Sequence, residues 1–193
     1  LFDRQLGRIE AEFGDLLERV KWVSLGGGIH FTGEGYPVDA LAARLKAFAD
    51  RFGIQVYLEP GEAAITNSTT LEVTVLDLLN NGKDLAIVDS SIEAHMLDLL
   101  IYRESAKLPQ AGAHEYQICG KSCLAGDIFG DARFEKPLSV GDRISVADAA
   151  GYTMVKKNWF NGVNMPSIAL RELDGSVRLV RAFGYEDYAS SLS

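Results

Sequence analysis

Apolar residues recur at helical spacing near the start of the chain, at Leu6, Ile9, Phe13, Leu16, Leu17 and Val20; a short apolar run, Lys21 to Leu25, then ends in three glycines. The first stretch predicts a helix and the second a buried strand. Pro37 opens a second helical stretch with Leu41, Leu45 and Phe48 on one face, and Gly53 stands where a helix stops. Ile54 to Leu58 predicts the next strand, closed by Glu59-Pro60-Gly61. Helix and strand alternate here as in an α/β barrel or a doubly wound sheet.

After Gly61 the rhythm changes. Leu71 to Leu79 and Leu85 to Val88 flank Asn80-Asn81-Gly82, a hairpin signal. A helix is predicted from about Ile92 to Tyr102. Beyond it Tyr116 to Cys119, Arg143 to Ala147, Ser167 to Leu173 and Val177 to Phe183 read as short strands, the last two joined by Asp174-Gly175. The simplest architecture is α/β followed by β: the last units of a (β/α)8 barrel over residues 1–64, then a mostly β domain over 65–193, some of whose strands and helix are candidates for completing the barrel. Two barrel strands alone leave edges and apolar faces open, so the first part is not expected to be stable by itself.

Composition narrows the function classes. With 47% of 193 residues hydrophobic, the chain can bury a substantial core. Nineteen basic against 27 acidic residues disfavour nucleic-acid partners and favour cationic ligands through the long-range field. Two cysteines, Cys119 and Cys123, are too few for a disulfide framework, and their spacing lacks the second ligand pair of a structural zinc site, so no metal is expected. The cysteine usage points to a reducing, cytoplasmic setting, and with no run of about 18 apolar residues and no signal-peptide pattern neither a membrane span nor a membrane partner is expected.

Four sites, three of them glycine-marked, carry the candidate chemistry. Gly26, Gly27 and Gly28 after a strand leave unobstructed backbone N–H groups that suit a phosphate, or form a plain tight turn. Gly61 offers another N–H beside the carboxylates of Glu59 and Glu62. Asp89, at a strand end, is a candidate for an ammonium ligand or, with Ser90 and Ser91, for a helix N-cap. Cys123 is either a proton-donating thiol or an inert cysteine.

Taken in order, these sites, with Gly151-Tyr152-Thr153 leading into Phe160-Asn161-Gly162, resemble the ornithine/diaminopimelate decarboxylase group of pyridoxal-phosphate (PLP) enzymes. The chain resembles only the C-terminal half of such an enzyme. Gly26 to His30, Glu62 where many relatives carry Arg, and Gly120 to Asp127 look most like the carboxynorspermidine (carboxyspermidine) decarboxylase branch. The resemblance implies a homodimer with active sites at the interface, PLP as cofactor, and a substrate with a polyamine tail that loses CO2 to give norspermidine or spermidine. It implies that Gly26, Gly27, Gly28, Gly61 and the Tyr152 hydroxyl contact the cofactor phosphate and that Glu59 pairs with the pyridine nitrogen. Asp89 would bind the distal amine, and Cys123 would reach into the partner's site to protonate the α carbon. Glu62 is expected to face an ammonium group. Trp159 and Phe160 would wall the cofactor.

The lysine that PLP chemistry requires has no counterpart among Lys21, Lys46, Lys83, Lys156 and Lys157. In the resembled enzymes it lies on the first barrel strand, upstream of residue 1, so this chain alone is expected to be inert. Rival expectations are a diaminopimelate- or ornithine-type decarboxylase, a non-catalytic homologue that pairs with a true decarboxylase, and an unrelated β-rich binding module.

Overall fold

The computed structural model describes residues 2–192, and the chain divides into two compact units between Thr66 and Asn67. In the first unit, helix α1 (Phe2–Leu17) leads to strand β1 (Trp22–Ser24), helix α2 (Val38–Phe52), strand β2 (Gln55–Tyr57) and the short helix α3 (Glu62–Ile65). β1 and β2 pair in parallel, Trp22 opposite Gln55 and Ser24 opposite Tyr57, which is why a helix must connect them. Leu6, Leu17, Phe48 and Ile54 make the buried core. Gly53 takes the left-handed conformation, φ 64°, and its N–H closes α2 onto the Ala49 carbonyl. Arg44 of α2 ties down α1, with Nε on Asp3 at 2.7 Å and two further bonds to Glu10.

The expected single apolar face of α1 is only half used. Leu6 and Leu17 are buried, but Phe13 departs from helical geometry and is 51% exposed, and Leu16 is 55% exposed. Trp22 and Tyr57, in edge contact at 5.9 Å, are exposed as well. Parallel strands are normally covered on both faces, whereas this unit leaves apolar side chains exposed.

The second unit is built on a five-stranded sheet in the order β6-β5-β4-β3-β7. Its strands are β3 (Leu71–Asn80), β4 (Asp84–Val88), β5 (His114–Cys119), β6 (Ile128–Phe134) and β7 (Arg143–Val146). The β3–β4 hairpin turns at Asn81-Gly82, with Gly82 at φ 76°. Only β4 and β5 run parallel, and two short helices, α4 (Ile92–His95) and α5 (Leu97–Tyr102), make the crossover between them. Val73, Val75, Ala86, Val88, Ile118 and Phe129 fill the core. Helix α6 (Gly151–Val155), a 3-10 turn at Phe160–Gly162, a separate antiparallel hairpin of β8 (Ile168–Arg171) and β9 (Val177–Arg181), and helix α7 (Tyr185–Ser190) complete the unit.

The helix expected over Ile92 to Tyr102 is broken at Met96, whose φ is −138°. The cause is long-range. Asn158 donates its backbone N–H to the Ala94 carbonyl at 2.7 Å and its amide to the Glu93 carbonyl at 3.0 Å, taking acceptors that a continuous helix would use.

Candidate functional site

In the first unit the glycine loop after β1 and the acidic loop after β2 are laced together at the backbone. The Glu59 N–H donates to the Gly26 carbonyl at 2.9 Å, and the Leu25 N–H to the Tyr57 carbonyl at 3.0 Å. Gly26 and Gly28 have φ of 71° and 82°, which glycine adopts without strain. Gly27 is required for another reason: a Cβ there would stand 2.5 Å from the Glu59 carbonyl oxygen. Gly27 and Gly28 are exposed, and their N–H groups take no partner among the described residues. The result is a bare, positively polarised backbone surface between two strand ends.

Ser24 was not singled out from the sequence, yet it joins the two loops. It accepts the Gly26 N–H at 3.2 Å and donates its hydroxyl to Glu59 Oε1 at 2.5 Å, which orients the carboxylate. Nothing in the pattern marks it, because the apolar run continues through Leu25 to the glycines. Gly61 lies just before α3, and Glu62 is that helix's first residue, half-buried. His30 is an exposed loop residue.

In the second unit Cys123 is exposed on a loop whose backbone donors from Gly120 to Leu124 are all used. Gly120 N–H donates to the Asp127 carbonyl, Lys121 N–H to the Ser90 carbonyl, Ser122 N–H to Asp127 Oδ2, Cys123 N–H to Asn161 Oδ1 and Leu124 N–H to Ser122 Oγ. Asp127 is the hub. It is buried, takes the Ser122 hydroxyl at 2.6 Å, and accepts the Ile92 N–H at 2.7 Å, stabilising the start of α4. Gly120 has to be glycine because a Cβ would fall 2.3 Å from the Asp127 carboxylate. Cys119 is half-buried, and burial pushes its thiol pKa up.

Asp89 is not the cap of α4. Ser91 is, accepting the Ala94 N–H, while Asp89 Oδ1 takes the Thr74 N–H at 2.8 Å where β3 shifts register. Asp89 also lines a cavity of about 1040 Å3, with Ser90, His95, Lys121, Arg143 and Lys157 around it. His95 is 4% exposed, bonds Ser90 Oγ through Nδ1 at 2.7 Å, and has Nε2 buried with no partner among the described residues. Burial lowers its pKa to about 4, so the ring is neutral near pH 7. Tyr152, the second residue of α6, is exposed, with Lys156 Nζ 4.8 Å from its ring centre and that ammonium bound to Asp98 at 2.6 Å. Trp159 packs against Phe183 and Tyr188.

Among the described residues, no group of three or more His, Cys, Asp and Glu is placed to hold a metal, and no helix is long and apolar enough to cross a membrane. Residues 13–150 match the family model of the C-terminal sheet domain of pyridoxal-dependent decarboxylases. The chain belongs to the pyridoxal-dependent decarboxylase family.

Within this decarboxylase family, the chain is 65% identical over all 193 residues to the carboxynorspermidine/carboxyspermidine decarboxylase of Herminiimonas arsenicoxydans, covering 53% of that protein. It is 41% identical over 98% of its length to the carboxyaminopropylagmatine decarboxylase of Synechocystis, covering 51% of that protein. The crystal structure of Campylobacter jejuni carboxynorspermidine decarboxylase complexed with norspermidine superposes with a TM-score of 0.90 at 35% identity, over 98% of this chain and 57% of that one. The chain thus spans about half the length of the curated relatives it matches.

Proposed function

We propose that this chain is the C-terminal part of a PLP-dependent decarboxylase that converts carboxynorspermidine or carboxyspermidine to norspermidine or spermidine. The observation that carries the reading is the 65% identity over all 193 residues to a decarboxylase of that name. The first unit then supplies the end of a (β/α)8 barrel over residues 1–64, and residues 65–193 form the β-barrel-like domain. A homodimer, and an N-terminal half bearing the Schiff-base lysine, belong to the same reading. So does a cytoplasmic location.

The residues of the first unit fit a phosphorylated cofactor, because the Gly27 and Gly28 N–H groups are open to an anion and a Cβ at Gly27 would collide with the neighbouring loop. When bound, PLP supplies a ring that accepts the electron pair left as CO2 departs. Gly27, Gly28 and Gly61 would offer backbone N–H groups to its phosphate, Gly26, whose own N–H is on Ser24 Oγ, would shape the phosphate turn, and the family resemblance gives the Tyr152 hydroxyl a phosphate contact as well. Glu59, oriented by Ser24, would accept the pyridine N–H. The Cys123 thiol gives its proton to the α carbon once the carboxylate is lost. Glu62 and Asp89 hold ammonium groups of the tail, for which charge-assisted bonds are strong.

The 41% identity to a carboxyaminopropylagmatine decarboxylase makes a guanidinium-ended tail the second reading. The test is CO2 release by the full-length, PLP-loaded protein with carboxynorspermidine, carboxyspermidine, carboxyaminopropylagmatine, ornithine and diaminopimelate, paired with borohydride trapping and peptide mapping. The highest kcat/KM is expected for carboxynorspermidine or carboxyspermidine, with pyridoxyl on a lysine outside this segment. Preference for the guanidinium tail selects the second reading, and preference for diaminopimelate or absence of CO2 overturns both.

A further inference from the structure

Cys123 has a neighbour that neither the sequence nor the family assignment supplies with a role. Its backbone N–H donates to Asn161 Oδ1 at 2.7 Å across 38 residues of chain. Asn161 sits at φ 55° inside the 3-10 turn Phe160–Gly162, in the left-handed region that asparagine enters more readily than most residues. The turn is closed by the Gly162 N–H on the Trp159 carbonyl at 2.9 Å, and the Trp159 ring is packed between Phe183 and Tyr188. The Asn161 amide is therefore aimed by a fixed turn. Asp127 anchors Ser122 and the Ser90 carbonyl anchors Lys121, both on the N-terminal side of Cys123, while Leu124 is held within the loop by its N–H on Ser122 Oγ and its carbonyl under the Asp127 N–H, with its side chain packed against the core. Asn161 is the contact that ties Cys123 itself to a distant element.

We propose that Asn161 is a positioning residue for the Cys123 thiol, acting through the backbone of Cys123 and not on the substrate. This rests on the decarboxylase reading given above. A proton donor must meet the reacting carbon within hydrogen-bond reach, and removal of the Asn161 acceptor frees the tip of the loop to shift. Loss of aim of this kind lowers the chemical step and leaves ground-state binding unchanged.

The experiment is a double-mutant cycle in the full-length, PLP-loaded enzyme, with kcat and KM measured for Asn161→Ala, Asn161→Asp, Cys123→Ala and the Asn161→Ala, Cys123→Ala pair. Asn161→Ala is expected to lower kcat about tenfold with KM changed by less than about twofold, as a misplaced catalytic group does. Asn161→Asp keeps an acceptor oxygen at the same place and is expected to restore most of the rate, which separates lost aim from lost folding. In the Cys123→Ala background the Asn161→Ala change is expected to cost nothing further. Unchanged kcat in Asn161→Ala, no rescue by Asn161→Asp, or full additivity with Cys123→Ala each overturns the proposal. Failure of the wild-type enzyme to release CO2 overturns the decarboxylase reading instead.

Discussion

The loops at Gly26–Gly28 and at Gly120–Asp127 look alike as sequence, since both put glycines after a strand, but they spend their backbone donors in opposite ways. At the first, the N–H groups of Gly27 and Gly28 are open; at the second, every N–H from Gly120 to Leu124 is already taken. Open donors suit a ligand that arrives from solution. Satisfied donors suit a loop that must hold one side chain still, and the side chain presented is Cys123. Glycine serves close approach in both: to the Glu59 carbonyl at Gly27, and to the Asp127 carboxylate at Gly120.

The sharpest way to break the comparison is to remove the hub. Asp127→Ala strands the N–H groups of Ile92 and Ser122 and is expected to destabilise the protein by about 4 kcal/mol, as loss of a buried, multiply bonded carboxylate does. Urea unfolding of the purified protein reads this directly. A cost under about 1 kcal/mol would show that the loop is not pre-built.

Acid acts beneath the same loop. Ser90 carries the Lys121 N–H on its carbonyl and His95 on its hydroxyl, so protonation of the ring threatens the mount. The groups that face His95 electrostatically are Asp89 and Asp127, which favour its charged form, and Lys121 and Lys157, which oppose it. Its folded pKa of about 4 lies below the ordinary 6.5. Between those values the unfolded chain binds more protons, so the stability contribution is complete above about pH 6.5 and is lost as pH falls toward about 4. The loss expected across that window is roughly 3 kcal/mol, and His95→Gln should flatten that part of the stability-against-pH curve.

The smallest effect on folding is expected at the open loop. Gly27→Ala drives a methyl toward the Glu59 carbonyl and should cost about 2 kcal/mol, comparable to other overpacking changes. Because that loop is proposed to bind the phosphate, PLP affinity of the full-length protein should fall in the same variant, measured by fluorescence titration. Unchanged affinity would remove Gly27 from the cradle.

Much of the fold was legible because it follows local rules. The helix stop at Gly53, the hairpins at Asn81-Gly82 and Asp174-Gly175, and most strands lie where apolar period and turn residues put them. β6 escaped because its buried positions include Gly130 and Ala132, which bury backbone without giving a hydrophobic signal. The break at Met96 escaped because it is imposed by Asn158, 62 residues away in sequence. In the candidate site the glycines and Cys123 stood out, whereas Ser24 and Asn161 act through side-chain hydrogen bonds that no spacing announces. Asp89, left between ligand and helix cap, is held by Thr74, and the cap is Ser91.

The Asn161-Gly162 pair also sets a clock. Asparagine before glycine is the pairing at which the following backbone nitrogen most easily attacks the side-chain amide, releasing ammonia through a cyclic imide. Here that nitrogen carries an N–H engaged with the Trp159 carbonyl, and the amide oxygen is engaged with Cys123. Ageing at this site is therefore coupled to folding: the intact turn retards the reaction, and a protein that has once opened there and hydrolysed to the iso-linked product gains an extra backbone carbon that cannot rebuild the turn.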